Sequence, residues 1–319
     1  MENIKIDIII PCYNSHKTID RCLGSILSQR ILPSIKVTLV KDGGKNYRDV
    51  IRRYSPIMNI QEIGYNKNSG PADARNYGLL NTEEELIMFM DSDDALANPF
   101  AVANIVNEMY SNPNNVIIIS NFAEELAPLQ IKIHKKDTSF MHGKLYKRSY
   151  LKKHNILQKP GSRCNEDVGF NILTILNAEN NEIIKFADCL TYFWLYNPSS
   201  IVRNDKKIYD NNISYKGFAE NLTYVFEELE KSGKDKTHRI LLEKITSMER
   251  LYLLYKEKSA KCPEFETDNK TALINFYNKI YKYIKDEVTD ELFTEVYNNL
   301  PFKDIKKEDV KTFIDSLNH

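Results

Sequence analysis

The sequence predicts an α/β domain over residues 1–204, with a mostly parallel sheet flanked by helices, followed by an α-helical domain over residues 205–319. Two patterns support this fold class. The first 120 residues alternate short β-rich runs with amphipathic helical stretches, which is typical of β-α units stacked on a largely parallel sheet. After Gly233 the chain has no further glycine, and its apolar residues recur at helical spacing.

The first half of the chain begins with a strand, a helix and a second strand. Ile4–Ile10 predicts the first strand, which we expect to end at Pro11 because proline cannot donate to a ladder. Val37–Val40 predicts the second strand, and Gly43 with Gly44 predicts a tight turn after it. The helix between them carries an apolar stripe of Ile19, Leu23, Ile26 and Leu27.

Two more strands complete this half. Leu86–Met90 ends at an acidic run that starts with Asp91, and Val116–Ser120 follows further on. In open α/β sheets, ligands bind outside the carboxyl ends of the strands. We therefore expect the loops that begin at Pro11, Lys41 and Asp91 to converge on one crevice.

The region from 121 to 204 has a mixed pattern. Val168–Asn177 predicts a helix, whereas Ile183–Phe186 and Leu190–Tyr196 predict strands. We expect this region to cover the mouth of the crevice. The helical tail then shows three apolar stripes: Leu241, Ile245, Met248 and Tyr252; Leu273, Phe276, Ile280 and Ile284; and Val310, Phe313, Ile314 and Leu317.

The composition is that of a packed globular chain of 319 residues, of which 42% are hydrophobic and 28% charged. Lys and Arg number 44, as do Asp and Glu, so no net field favours a polyanion and we expect no stable nucleic-acid binding. One basic patch suits an anionic polymer or a membrane surface, and peripheral membrane association is expected from it. The patch comprises Lys144, Lys147, Arg148, Lys152 and Lys153.

Localisation is expected in the cytoplasm, including the inner face of the membrane. No apolar run reaches the ~20 residues of a membrane-spanning helix. The cysteines are scattered and lack a C-x-x-C pair, which favours reduced thiols. They are Cys12, Cys22, Cys164, Cys189 and Cys262.

Three carboxylates follow the third strand within four residues, at Asp91, Asp93 and Asp94. Such crowding of negative charge is costly unless a cation is present. A hard divalent ion, Mn²⁺ or Mg²⁺, would bind one or two of these carboxylates together with water and substrate phosphates. The structural alternative is that Asp91 or Asp94 caps the next helix, which is predicted to begin near Pro99.

Other polar residues near predicted strand and helix ends have two readings each. Asp42 accepts hydrogen bonds from a nucleotide or forms a turn before two glycines. Arg75 lies one turn into a helix with a Gly-Pro start, where it pairs with phosphate or crevice carboxylates, or lies on the surface. Glu166 and Asp167 precede a helix, where one of them acts as a general base or both favour the helix dipole.

Five motifs in register resemble those of family 2 glycosyltransferases, which have the GT-A fold. The resemblance covers residues 4–204, and no family is assigned to the helical tail. The motifs are Ile8-Ile9-Ile10-Pro11-Cys12-Tyr13-Asn14, Val40-Lys41-Asp42-Gly43-Gly44, the Asn68 to Gly78 segment with Ala74-Arg75-Asn76, Asp91-Ser92-Asp93-Asp94, and Glu166-Asp167.

The resemblance implies a role for individual residues. Asp93 would bind the metal with Asp91, which also lies near the ribose. Asp167 would be the general base that deprotonates the acceptor hydroxyl, with Glu166 beside it. The acceptor side would include His142 and Lys144, and a lid over the diphosphate would include Ser199, Ser200 and Arg203. Apart from the resemblance, Trp194 in an aromatic strand either stacks on a sugar ring on the acceptor side or packs in the core. The nucleotide sugar would be held by Pro11, Tyr13, Asn14, Asp42, Asn68, Arg75, Asp91, Ser92, Ser200 and Arg203.

The implied activity is a metal-dependent, inverting transfer of a sugar from a nucleoside-diphosphate sugar, a UDP-sugar being expected, to a hydroxyl of a bacterial surface glycan, teichoic acid or polysaccharide. A protein or modified-DNA acceptor and a catalytically inactive nucleotide-sugar-binding scaffold are the alternatives. Lys41 departs from the family pattern, because many relatives have a second acid at that position. The helical tail is expected to support a homo-oligomer or to bind a partner.

Overall fold

The computed structural model describes residues 5–198, 200, 213–234, 237–302 and 304–317. The chain divides into two compact units, residues 1–198 and 199–319. The domain boundary predicted at residue 204 falls outside the described residues, so it stays a prediction.

The described part of the first unit contains one nine-stranded sheet. Its strands, in order across the sheet, are β3 (Asn59–Tyr65), β2 (Ile35–Asp42), β1 (Ile6–Cys12), β4 (Leu86–Phe89), β8 (Lys144–Lys147), β6 (Asn115–Ala127), β9 (Ile183–Trp194) and β5 (Ala95–Leu96), with β7 (Gln130–His134) paired to β6.

The sheet is parallel in one half and mixed in the other. β1 lies between β2 and β4 and is parallel to both, and β2 is parallel to β3. β8 runs antiparallel to both β4 and β6, while β6 and β9 are parallel. The parallel half therefore brings the ends of β2, β1 and β4 to one edge, as the sequence predicted.

Helices flank this sheet, which confirms the predicted fold class. Residues of α1 and α4 join those of β1, β2 and β4 in one buried core. Strand isoleucines such as Ile8 and Ile10 are completely buried within it. The helices are α1 (Ile19–Leu27), α2 (Arg48–Tyr54), α3 (Pro71–Leu80), α4 (Ala101–Tyr110), α5 (Arg148–Lys153) and α6 (Glu166–Asn177).

Several predicted boundaries were wrong. β1 runs through Pro11 to Cys12, because its ladder with β4 ends at the Ile9–Phe89 pair and the missing proline amide lies beyond it. The two strands predicted from 183 to 196 are one strand, β9, whose pairing with β6 shifts register on the way. Strands β3, β5, β7 and β8 were not predicted.

The second unit is helical in its described residues. Predicted stripe residues such as Ile245, Met248 and Phe276 are fully buried there. Its helices are α7 (Tyr215–Lys231), α8 (His238–Lys261), α9 (Pro263–Lys279), α10 (Asp290–Asn299) and α11 (Lys307–Ser316). Across the described residues of both units, we find no helix with the length and apolarity needed to span a bilayer.

Candidate active site

The crevice lies at the carboxyl ends of β2, β1 and β4, and its first wall is the turn after β2. Both oxygens of Asp42 accept backbone hydrogen bonds, from Ser69 at 2.7 Å and Gly70 at 2.9 Å. Gly43 has a φ of +71°, and a Cβ atom there would lie 2.7 Å from the Asn68 nitrogen. The predicted glycine turn is thus confirmed, and Asp42 ties it to the start of α3 instead of forming a local turn.

Arg75 joins two acidic groups that are far apart in the sequence. Its guanidinium donates to Asp91 at 2.6 Å and to Glu166 at 2.8 Å, and its side chain is almost fully buried. Although burial opposes a charge, these two carboxylates raise the pKa of Arg75 above its ordinary value. The bridge brings the acids after β4 and the acids at the start of α6 into one site.

The acidic run after β4 occupies three different environments. Asp91 is held by Arg75, whose charge outweighs burial and lowers the pKa of Asp91 below its usual value. Asp93 is partly exposed and accepts a hydrogen bond from Asn197 at 2.8 Å. Asp94 is buried and accepts hydrogen bonds from the Tyr192 hydroxyl and the Leu195 amide, so it does not cap the following helix.

Asp93 and Asp94, unlike Asp91, are short of compensating positive charge. Burial raises the pKa of Asp93, and the negative charge of Asp91 raises it further. Burial also raises the pKa of Asp94, again with a contribution from its acidic neighbours. A divalent cation would relieve this repulsion, so the donor set fits Mn²⁺ or Mg²⁺. Ligand atoms of Asp91, Asp94 and His142 lie within 4.8 Å of one another.

Glu166 and Asp167 form the first turn of α6. The preceding loop is tied to α3, because the Asn76 side chain exchanges two hydrogen bonds of 2.9 Å with the backbone of Gln158. Burial and the neighbouring Glu166 raise the pKa of Asp167 to about 7. A carboxylate of this pKa at the edge of a crevice is suited to accept a proton at neutral pH.

The predicted acceptor-side residues lie in an aromatic cluster. His142 stacks on Tyr192 with ring centroids 4.5 Å apart, and Trp194 lies 5.1 Å from the same imidazole. Burial lowers the pKa of His142 to about 4. Lys144 is fully buried, donates to the Phe140 carbonyl, and has its pKa lowered by burial to about 8. In this structure His142 and Lys144 are therefore buried and do not lie on the exposed surface of the site.

The remaining predicted residues are distributed around the crevice and outside it. Tyr13 is exposed, and Asn14 accepts a bond from the Lys45 amide, while Pro11 and Ser92 are partly exposed. Asn68 accepts two hydrogen bonds from the guanidinium of Arg163, through its side-chain oxygen and its carbonyl. In the predicted lid, Ser199 and Arg203 lie outside the described residues, and Ser200 is a partly exposed residue of the second unit.

The sequence analysis missed several residues that shape the site. Arg163 donates to the Asn68 side chain, and Arg21 donates to the backbone carbonyl of Asp93. Tyr192 links the acidic run to β9 by accepting from the Asp91 amide and donating to Asp94. Arg163 stands three residues before Glu166, which was a usable signal, whereas no local pattern pointed to Arg21 or Tyr192.

The basic patch predicted from the sequence is wrong as a free cationic surface. Lys144 and Arg148 are buried, and Arg148 donates to the carbonyls of Leu79 and Glu84. Lys147 donates to a backbone carbonyl, and Lys153 forms salt bridges with two glutamates. Alternation along β8 and the start of α5 directs much of this charge inward.

Comparisons with known proteins identify the family and the fold of the chain. The model of the family described as Glycosyl transferase family 2 matches residues 7–168. The chain is 24% identical to the poly(ribitol-phosphate) beta-N-acetylglucosaminyltransferase TarP of Staphylococcus aureus, over 96% of this chain and 96% of TarP.

Two solved structures share the fold. Crystalline S. aureus TarS 1-349 in complex with UDP-GlcNAc matches with a TM-score of 0.69 at 17% identity, covering 98% of this chain and 89% of that one. The mannosyltransferase PcManGT from Pyrobaculum calidifontis, in complex with GDP-Man and Mn²⁺, matches with a TM-score of 0.51 at 15% identity, covering 98% and 84%. Since the family model spans half of the chain, from β1 to the start of α6, the protein belongs to glycosyl transferase family 2 and is a glycosyltransferase of the GT-A fold.

Proposed function

We propose that this glycosyltransferase moves N-acetylglucosamine from UDP-GlcNAc to a hydroxyl of a polyol-phosphate polymer of the teichoic-acid type, with inversion and with a divalent metal. One observation carries the reaction class. The Arg75 guanidinium forms ion pairs with both Asp91 and Glu166. It thereby brings the acidic run after β4, whose carboxylates suit a divalent metal, close to the candidate base Asp167, which follows Glu166.

The donor and the acceptor are inferred from relatives. TarP is named as a poly(ribitol-phosphate) beta-N-acetylglucosaminyltransferase, and it aligns with almost the whole of this chain. The TarS structure of the same fold holds UDP-GlcNAc. These likenesses support UDP-GlcNAc as the first donor to test and a poly(ribitol phosphate) chain as the first acceptor.

Asp93 and Asp91 are the residues we assign to the metal. Asp94 suits this role less, because its two oxygens already accept hydrogen bonds from Tyr192 and Leu195 and its side chain is buried. Asp93 is partly exposed and is crowded by negative charge. When bound, the ion would neutralise charge on the leaving diphosphate.

Asp167 is the residue we assign as general base. It would take the proton of the acceptor hydroxyl while that oxygen bonds to the anomeric carbon and the bond from this carbon to the UDP oxygen breaks. Its pKa of about 7 leaves a useful fraction ionised at neutral pH. Glu166 stays paired with Arg75, so the two adjacent acids have different tasks.

We also propose that the enzyme works in the cytoplasm. All five cysteines are free thiols, which agrees with a reducing compartment. Cell fractionation tests the cytoplasmic location, and transfer assays with and without a divalent ion test the metal dependence.

The decisive experiment is release of UDP from UDP-GlcNAc with poly(ribitol phosphate) as acceptor, measured with Mn²⁺, with Mg²⁺ and after chelation. We expect Asp167→Asn to lower the transfer rate about 10²- to 10⁴-fold, since a positioned base contributes that much. In the unaltered enzyme, kcat/KM should rise with pH and level off above about 7, because the base must lose its proton.

The matched control is Asp49→Asn, at a highly exposed carboxylate on α2 that pairs with Arg52. Equal activity of the Asp167 and Asp49 variants would contradict the assignment of the base. Binding of UDP-GlcNAc without turnover on any polymer would instead favour an inactive nucleotide-sugar-binding scaffold.

A further inference from the structure

The hairpin formed by β6 and β7 exposes an unusual amount of apolar surface. Leu126, Leu129, Ile131 and Ile133 are 49%, 94%, 54% and 46% exposed. All four lie within eight residues, and Ile131 and Ile133 point to the same face of β7. Single exposed apolar residues are common, but a group of this size on one hairpin indicates an interaction surface.

The backbone conformation of the hairpin tip is a second, independent indication of an interaction surface. Pro128 and Leu129 connect Ala127 of β6 to Gln130 of β7, and Leu129 has a φ of +68°. Proline followed by a residue of positive φ is the pattern of a type II turn, in which the second position favours glycine or asparagine. A leucine there is strained, and with 94% exposure its side chain gains nothing from the protein core.

The acidic side chains of the hairpin have hydrogen-bond or ion-pair partners within the protein. Glu124 contacts the imidazole of His134 at 2.8 Å, and Glu125 accepts a bond of 2.9 Å from the Tyr196 amide. Asp137 accepts two backbone hydrogen bonds of 2.8 Å. These carboxylates are therefore directed toward the protein.

The lysines of the hairpin and of the residues directly after it differ from these acids. Among the described residues, Lys132, Lys135 and Lys136 form no hydrogen bond or ion pair, and all three are exposed. The unpaired charge of the hairpin and of the residues directly after it is thus positive, and it lies close in sequence to the exposed leucines and isoleucines. This combination of apolar side chains and unpaired lysines matches the interface of an anionic bilayer, where acyl chains and acidic headgroups meet.

We propose that the β6–β7 hairpin docks the enzyme on the surface of an anionic membrane, with Leu129 and Ile131 in the headgroup region and the three lysines on acidic lipids. A second copy of the chain is a poorer occupant. Lysine on an edge strand opposes pairing with an identical strand, since like charges would meet.

The hairpin is connected to the site through aromatic contacts. His134 of β7 stacks on Phe122 at 4.3 Å, and Phe122 lies 5.1 Å from His142, which contacts Tyr192 beside the acidic run. Docking by the hairpin would therefore hold the crevice close to the bilayer. The proposal requires no particular donor or acceptor, so it survives failure of the proposed function.

The test is sedimentation of the full chain with vesicles of phosphatidylcholine, alone or mixed with phosphatidylglycerol, at low and high salt. We expect binding to the mixed vesicles that weakens with salt. The triple change Lys132→Gln, Lys135→Gln and Lys136→Gln should lower the partition coefficient roughly a hundredfold, since each lysine near an anionic surface contributes about fivefold. Leu129→Ser with Ile131→Ser should lower it at least about tenfold through lost apolar burial.

Two matched controls carry the same chemical changes elsewhere. Lys216, Lys270 and Lys282 are exposed lysines of the helical unit that are changed together to glutamine, and Leu80→Ser removes an exposed leucine at the end of α3. The proposal is overturned if the controls lose as much binding as the hairpin variants, or if only the lysine changes matter. It is equally overturned if vesicle binding is unchanged while the hairpin variants alter the sedimentation coefficient, which would identify a self-association surface.

Discussion

Each of the two units buries carboxylates, but they stabilise them in opposite ways. In the crevice, Asp91 and Glu166 share the guanidinium of Arg75 at 2.6 and 2.8 Å. In the helical unit, Glu249 of α8 is fully buried, and neither of its oxygens has a hydrogen-bond partner among the described residues. Burial of an acid is therefore common to both units, and the paired cation distinguishes the crevice.

The difference has an electrostatic consequence. Arg75 keeps the pKa of Asp91 below its ordinary value despite burial, so this acid stays ionised. Burial raises the pKa of Glu249 to about 8, and Lys307 offsets only part of that rise. The ionised Asp91 is suited to bind a cation, whereas burial of Glu249 without a hydrogen-bond partner among the described residues costs folding free energy.

The largest expected effect comes from removing the shared cation. Arg75→Met leaves Asp91 and Glu166 close together without a counter-charge, and breaking a buried ion pair costs about 3–5 kcal/mol of folding free energy. We expect the melting temperature to fall markedly and transfer activity to be lost, and chemical denaturation gives the free energy directly.

Arg52→Met is the matched control, because the Arg52–Asp49 pair on α2 is highly exposed. Exposed pairs contribute only about 0–1 kcal/mol. If both methionine variants lost the same stability, the crevice would not depend on the Arg75 bridge, and the paired cation would not distinguish the two units.

A smaller effect of opposite sign is expected in the helical unit. Glu249 has a folded pKa of about 8 against an ordinary value of 4.5, so the folded state holds a proton that the unfolded state releases between those values. Its contribution to stability is present below about pH 4.5 and is lost as the pH rises toward 8. Glu249→Met should remove this loss and raise the free energy of unfolding at pH 8 by about 2 kcal/mol.

Measurements of unfolding free energy at pH 5 and pH 8 check this prediction. The gain should be clearly larger at pH 8 than at pH 5. Glu230→Met provides the control, since Glu230 is exposed on α7 and should show no such difference. A Glu249 variant that is less stable at pH 8 would mean that the carboxylate has a partner in solution.

Local sequence patterns predicted the parallel half of the fold well. Apolar runs there are followed by glycine, proline or aspartate, and β1, β2 and β4 end within about two residues of their predicted ends. β3 was missed because its apolar residues alternate with polar ones and because it includes Gly64. β8 was missed because it is only four residues long. Short or edge strands depend on their neighbours in the sheet, which a single sequence does not show.

The candidate site was predicted only in part, because some of its features are local in the sequence and others are not. The acids after β4 and in the first turn of α6 carry a local signal, because they directly follow an apolar strand or begin a helix. The bridge through Arg75, the anchoring of Asp94 by Tyr192 and the contact of Arg163 with Asn68 join residues that lie 91, 98 and 95 positions apart. Such pairs follow from the tertiary fold alone.

The smallest expected effect concerns a buried cation in the first unit, Lys144. Burial lowers its pKa to about 8 from 10.5, so between these values the unfolded state holds a proton that the folded state has lost, and stability rises with pH. Lys144→Met should stabilise the fold at pH 7 by about 1 kcal/mol, as replacement of a buried charge often does. The Phe140 carbonyl keeps a second donor, the Asn171 amide at 3.0 Å.

Lys152→Met, at an exposed lysine of α5, is the control for stability, and transfer activity is measured beside the unfolding free energy. If Lys144 serves the acceptor side, its variant should be more stable but less active, because functional charges are commonly kept at the expense of stability. A variant that is more stable and fully active would remove Lys144 from the site and leave Arg75 as the buried cation on which the crevice depends. A less stable variant would show that the Lys144 ammonium, unlike the Glu249 carboxylate, is compensated where it is buried.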